Sequence, residues 1–147
     1  MSVELNKALV RRLFDADLNE RDQAARSKAA DEFIAVDFVD HTNPPGLQHG
    51  LESHKQIVTI LRRAFLDLYW EYEEPIAESD KVAIRVNMHG THQGEFFGIP
   101  PTGKPVTVSG IHVLRIANGK IAEHWGTNDD LGLLQQLGVV PAPGQAS

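Results

Sequence analysis

Residues 106–129 read VTVSGIHVLRIANGKIAEHWGTND, and their period decides the fold. Val106, Val108, His112, Leu114 and Ile116 share one phase of a two-residue repeat, the mark of a strand with one apolar face. Asn118-Gly119 follows, the strongest short signal for a two-residue hairpin, because both residues accept the positive φ that the turn demands. KIAEHWGTND is then its partner strand. Upstream, KVAIRVNMHGTHQG (81–94) alternates in the same way, with Val82, Ile84, Val86 and Met88 on one face. Before it, Trp70 and Tyr72 alternate with charges, Pro75 suits an edge position or a bulge, and Ser79-Asp80 reads as a turn. GEFFGIPPTGKP (94–105) is a loop rich in turn residues.

The first third has the other period. Leu5, Leu9, Val10, Leu13 and Phe14 form one helical stripe, and QAARSKAADEFIA (23–35) a second, with Ala29, Ala30, Phe33 and Ile34 as its buried edge. VDFVDHTNPPGLQHG (36–50) breaks the pattern and reads as an ordered connector, since its prolines and glycines end helices. Ser53 with Gln56 fits a capping box for a third helix, whose stripe is Ile57, Ile60, Leu61, Ala64, Phe65 and Leu68. DLGLLQQLG closes the chain with a short helix stopped by Gly138. Helices first and hairpin strands after predict an α+β domain over 1–138, three N-terminal helices packed in a curved antiparallel sheet, with a tail over 139–147.

A chain of 147 residues suits one domain with a core large enough for a small cavity. Lys and Arg total 14 against 20 Asp and Glu, a net charge of −6 that argues against general nucleic-acid binding. Cysteine is absent, which excludes disulfides, thiolate catalysis and cysteine-ligated metals. No apolar run of spanning length or signal-peptide pattern is present, so the expectation is a cytoplasmic protein away from membranes.

Seven histidines invite a search for metal sites, yet none form H-E-x-x-H or an i, i+4 pair, and no metal is expected. His89 and His92 fall on opposite faces of a regular strand. His112 shares its phase with apolar residues, so it faces the core or a cavity and must find a partner there. The hairpin brings the residues around His124 alongside it. Two imidazoles, with Asn128, Asp129 or Asp130 near the strand end, would form a polar cluster suited to proton transfer near neutral pH. Phe96 and Phe97, flanked by Gly94 and Gly98, are candidates to cover a pocket mouth. Trp125 is either a packing group or a surface on which a ligand stacks. No nucleophile elbow, phosphate loop or dinucleotide fingerprint occurs, so no cofactor is expected.

The run GTHQGEFFGIPPTGKPVTVSGIHVLRIANGKIAEHW, followed by DLGLLQQLG, resembles the SnoaL-like polyketide cyclases, also called predicted ester cyclases. DFVDHTNPPGLQHG and the helix from Ser53 fit the same family. The resemblance implies a cone-shaped α+β barrel of the nuclear-transport-factor-2-like type. It also implies cofactor-free aldol ring closure, with an aspartate as general acid/base, a supporting histidine and polar groups on the substrate's oxygens. His112 and His124 match the family's strand histidines and are the catalytic candidates; Asn43 matches a polar asparagine. The family's aspartate position is Gly126, and a glutamine two residues before His112 is Gly110. Asn43, Phe96, Phe97, Trp125 and Asp129 are the substrate-binding candidates. Two readings follow. One is an acid/base enzyme (cyclase, isomerase or hydrolase) for a hydrophobic carbonyl compound; the other is a non-catalytic module that binds an apolar small molecule. A mixed outer sheet face, through which related cone folds pair, implies a homodimer.

Overall fold

The computed structural model describes residues 2–43, 46, 49–141 and 143–144; Pro44 and Pro45 of the expected connector, and part of the tail, lie outside them. Helix α1 (Val3–Leu13) starts at Ser2, whose Oγ accepts the Leu5 N–H, and buries Leu9, Val10 and Leu13. Leu5, expected in the stripe, is exposed. The chain continues without a break into a π-helical turn, Phe14–Leu18, which buries both Phe14 and Asp17. Helix α2 (Gln23–Phe33) is capped by Asp22 and packs Ala29, Ala30 and Phe33 inward.

The next segment corrects the sequence reading. Ile34–Asp40 is neither helix edge nor connector but strand β1, with Ile34, Phe38 and Asp40 buried. It pairs in parallel with β6 (Lys120–Asn128), so the sheet is mixed rather than antiparallel. The pairing is irregular: between Ile34↔Ile121 and Val39↔Glu123, five steps on β1 match two on β6. That bulge scrambles the two-residue period by which a strand is recognised.

Helix α3 (Leu51–Ala64) starts on Gly50, whose φ of +117° favours glycine, rather than on a capping box. Ser53 lies inside the first turn and donates its hydroxyl to the Gly50 carbonyl at 2.9 Å. Strands β2 (Tyr69–Tyr72) and β3 (Ile76–Glu78), separated around Pro75, both pair with β4 (Lys81–Thr91). β5 (Pro105–Ala117) joins β4 to β6, giving the order β1-β6-β5-β4-β2. The β5–β6 hairpin turns at Asn118-Gly119, both at positive φ as expected. Helix α4 (Asp130–Gln136) ends before Gly138, φ +80°. No helix among the described residues is long and apolar enough to cross a membrane.

Two apolar clusters carry the core. One joins α1, α2 and β1 to Val82, Ile84, Val86, Leu114 and Ile116 of the sheet. The other gathers Phe65 and Leu68 beyond α3 with Met88, Val106, Val108 and Leu133. A cavity of about 590 Å³ opens between them and takes lining residues from both.

Candidate functional site

The cavity wall is mostly apolar: Phe14, Ile34, Phe38, Ile57, Leu61, Met88, Val108 and Leu114 all face it. Polar groups enter chiefly where β1, β5 and β6 meet. In the β5–β6 ladder His112 stands directly opposite Gly126, and His124 opposite Leu114. His112 and His124 are therefore diagonal neighbours on one face, within reach of long or aromatic side chains. Their rings stack at 5.0 Å with 13° between planes, and His112 Nδ1 lies 2.8 Å from His124 Nε2. His124 Nδ1 lies 2.9 Å from Asp40 Oδ1 on the parallel strand β1, and His112 Nε2 lies 3.1 Å from Asn128 Oδ1. Four side chains from three strands thus form one hydrogen-bonded line, Asp40–His124–His112–Asn128.

The acceptors at the two ends fix the protons along it. Asn128 Oδ1 takes the His112 Nε2–H, so His112 Nδ1 accepts and His124 Nε2 donates. Asp40 takes the His124 Nδ1–H. With every bond made, His124 carries a proton on both nitrogens. Burial alone would raise the Asp40 carboxyl, but hydrogen bonds from His124 and Thr42 and the attraction of the His124 charge outweigh it and hold Asp40 at about 2. Burial, then repulsion from His124, pushes His112 down to about 4, and the Asn128 bond and the Asp40 charge offset only part of this. At neutral pH His112 is therefore an uncharged acceptor.

Two glycines make room for the line. A Cβ on Gly126 would lie 2.5 Å from His112 Nδ1 and 3.0 Å from His124 Nε2. A Cβ on Gly110, which pairs directly with Asn128, would lie 2.1 Å from Asn128 Oδ1.

A family model described as SnoaL-like polyketide cyclase matches residues 8–137. The chain belongs to the SnoaL-like polyketide cyclase family. It is 33% identical over 148 residues to the aklanonic acid methyl ester cyclase DnrD of Streptomyces peucetius, covering 94% of this chain and 92% of that one. To the nogalonic acid methyl ester cyclase of Streptomyces nogalater it is 32% identical over 118 residues, 77% of this chain and 86% of the relative. Among solved structures, TsrD from Streptomyces laurentii superposes with a TM-score of 0.84 at 25% identity, over 95% of this chain and 99% of that one. The curved mixed sheet with N-terminal helices is thus the α+β architecture of SnoaL-like and nuclear-transport-factor-2-like proteins.

Of the residues singled out in the sequence of this SnoaL-like protein, His112, His124, Asn43, Phe96 and Phe97 line the cavity. Asn43 Nδ2 lies 3.4 Å from Ser53 Oγ. Phe96 packs edge-on against both Phe65 and Phe97, and Phe97, half exposed at φ +44°, stands at the opening. Trp125 and Asp129 do not line it. Trp125 follows His124 on a strand and so takes the opposite face, where it stacks on His41 at 5.0 Å. Asp129 caps α4, accepting the Gly132 N–H at 2.9 Å. Asp40 was missed altogether. Its local signal was Thr42: Asp40 Oδ1 accepts the Thr42 N–H at 2.9 Å, an Asx turn that the pair Asp-x-Thr announces.

Proposed function

We propose that this protein performs cofactor-free acid/base chemistry on a hydrophobic carbonyl compound of polyketide type, with His112 and His124 as proton carriers and Asp40 as their anchor. One observation supports the reading above the rest: a carboxylate–imidazole–imidazole line runs along the wall of an otherwise apolar cavity. Such a pair suits removal of a proton alpha to a carbonyl and its return to oxygen. Gly126 stands where related cyclases carry an acid/base aspartate, and the imidazole pair occupies the space that its side chain would need. The relatives' names give the chemical class of probe, an anthraquinone-type methyl ester.

Proton abstraction is measured without requiring ring closure. Aklanonic acid methyl ester in D₂O is expected to exchange its acidic α-protons faster with the protein than in buffer, and His112→Gln is expected to remove about 10²–10⁴ of that acceleration. Ring closure itself is expected to be slow beside that by the DnrD cyclase. Binding of the ester without faster exchange would overturn the enzyme and leave the alternative, a binding module for an apolar small molecule.

A homodimer through the outer sheet face belongs to the same reading. Val113 and Trp125 are direct register partners on that face, beside Ile111, which is 56% exposed. Light scattering at micromolar concentration should give twice the chain mass, and Ile111→Arg should halve it; a folded native monomer sinks the assignment.

A further inference from the structure

We propose that His54, held by the buried carboxylate of Asp17, is a second polar anchor of the cavity, on its helical wall, that accepts a hydrogen bond from a ligand hydroxyl. The proposal rests on the reading above, in which the cavity takes an aromatic carbonyl compound, and it adds a requirement for a hydroxyl on the part of that compound facing the helices.

Position comes first. His54, Ile57, Val58 and Leu61 stand at i, i+3, i+4 and i+7 on α3, and all four line the cavity. His54 is thus part of the face that α3 turns to the ligand space, while His112 and His124 enter from the sheet.

The ring is also fixed. His54 Nε2 lies 2.7 Å from Asp17 Oδ2, and the ring meets Phe38 edge-on at 6.1 Å and 88°. Asp17 is 2% exposed, on the π-helical turn that widens the end of α1. Such turns occur mostly as single insertions, frequently at functional sites. A purely structural role accounts for Nε2, since a buried carboxylate needs a partner. It leaves Nδ1 unexplained. Nδ1 has no hydrogen-bond partner among the described residues, yet it is not among the side-chain atoms sealed from solvent without one. With Nε2–H given to Asp17, the Nδ1 lone pair is free to accept.

The test uses two probes of nearly equal shape, 2-hydroxyanthraquinone and 2-methylanthraquinone. Native protein is expected to bind the hydroxyl probe about 3- to 10-fold more tightly, the range that one hydrogen bond supplies. His54→Phe, which also leaves the Asp17 carboxylate without this partner, should lose that preference. On native protein, the ¹⁵N resonance of His54 Nδ1 should move on adding the hydroxyl probe and stay in place with the methyl one, a readout independent of whether any variant folds. Asp17→Asn should weaken the preference through the freed ring, and restoring Asp17 should recover it. An unmoved Nδ1 resonance, or equal preference in native protein and His54→Phe, overturns the anchor alone. Failure of native protein to bind either probe overturns the aromatic-ligand reading and the anchor with it.

Discussion

Gly126→Ala is expected to leave the fold standing and cut proton transfer by about 10²–10⁴. Gly126 sits in β6 and is not among the positive-φ glycines, so its backbone accepts alanine without strain. The cost falls on the imidazoles. The added methyl would lie 2.5 Å from His112 Nδ1, 2.9 Å from its Cε1 and 3.0 Å from His124 Nε2. Carbon and nitrogen do not approach so closely, so the rings part and the 2.8 Å contact between them is lost. His112 then rises from about 4, because the nearby His124 charge that helped to depress it has moved away; burial still holds it below the ordinary imidazole value. Proton exchange on the methyl ester, a thermal melt and an NMR titration of His112 check the three parts. Gly126→Asp brings the same methylene clash together with a carboxylate. Activity in the aspartate variant but not in the alanine one would show that the carboxylate replaces the imidazole pair as the acid/base group. An unchanged exchange rate in Gly126→Ala would remove that pair from the chemistry.

The same geometry shows what a reader of the sequence is able to see. The Asn118-Gly119 turn and the apolar phase of β5 suffice to bring the His112 and His124 neighbourhoods together, because both signals are local. Strand alternation alone also separates Trp125 from His124, since adjacent residues on a strand face opposite sides. Asp129, just ahead of the apolar helix DLGLLQQ, stands where an N-cap is expected. Asp40 is different in kind. It enters the site only because β1 lies parallel to β6, with Asp40 in register with His124 some eighty residues away. No local period reports a parallel partner, and the bulge after Ile34 hides even the strand. What the Asx turn at Thr42 announces is an ordered carboxylate, not its destination. Gly110 and Gly126 read in isolation as positions with no side chain to offer. In the folded chain each faces a polar side chain across the ladder, Asn128 and His112, and leaves it the room to join the line.

Asp40→Asn carries the second large effect. Asp40 Oδ1 accepts from His124 Nδ1 at 2.9 Å and from both the N–H and the hydroxyl of Thr42. An asparagine of the same shape satisfies Thr42 with its oxygen but brings no charge, and with its amide reversed it donates toward His124 instead of accepting. With its oxygen in place the amide still accepts from His124, so only the charge is lost; with the amide reversed, the proton order along His124 and His112 is no longer imposed. Where a buried aspartate orients a catalytic imidazole, the amide replacement costs about 10⁴ in rate with geometry intact, and a loss of about 10²–10⁴ is expected here. The pH dependence of stability isolates the cause. Asp40 ionises at about 2 when folded and near 3.8 otherwise, so the unfolded chain binds more protons between these values. Its contribution is complete above pH 3.8 and is lost as the pH falls to 2. His112 titrates at about 4 when folded against 6.5, and the same sign applies: stability falls as the pH drops from 6.5 to 4. The two windows adjoin, and native protein should lose Tm continuously from pH 6.5 downward, about 2–4 °C for each kcal/mol. In Asp40→Asn the upper branch should persist, while the branch below pH 4 becomes shallower than in native protein. Parallel Tm curves below pH 4, together with an unchanged exchange rate, would show that Asp40 neither carries the charge nor orders the imidazoles.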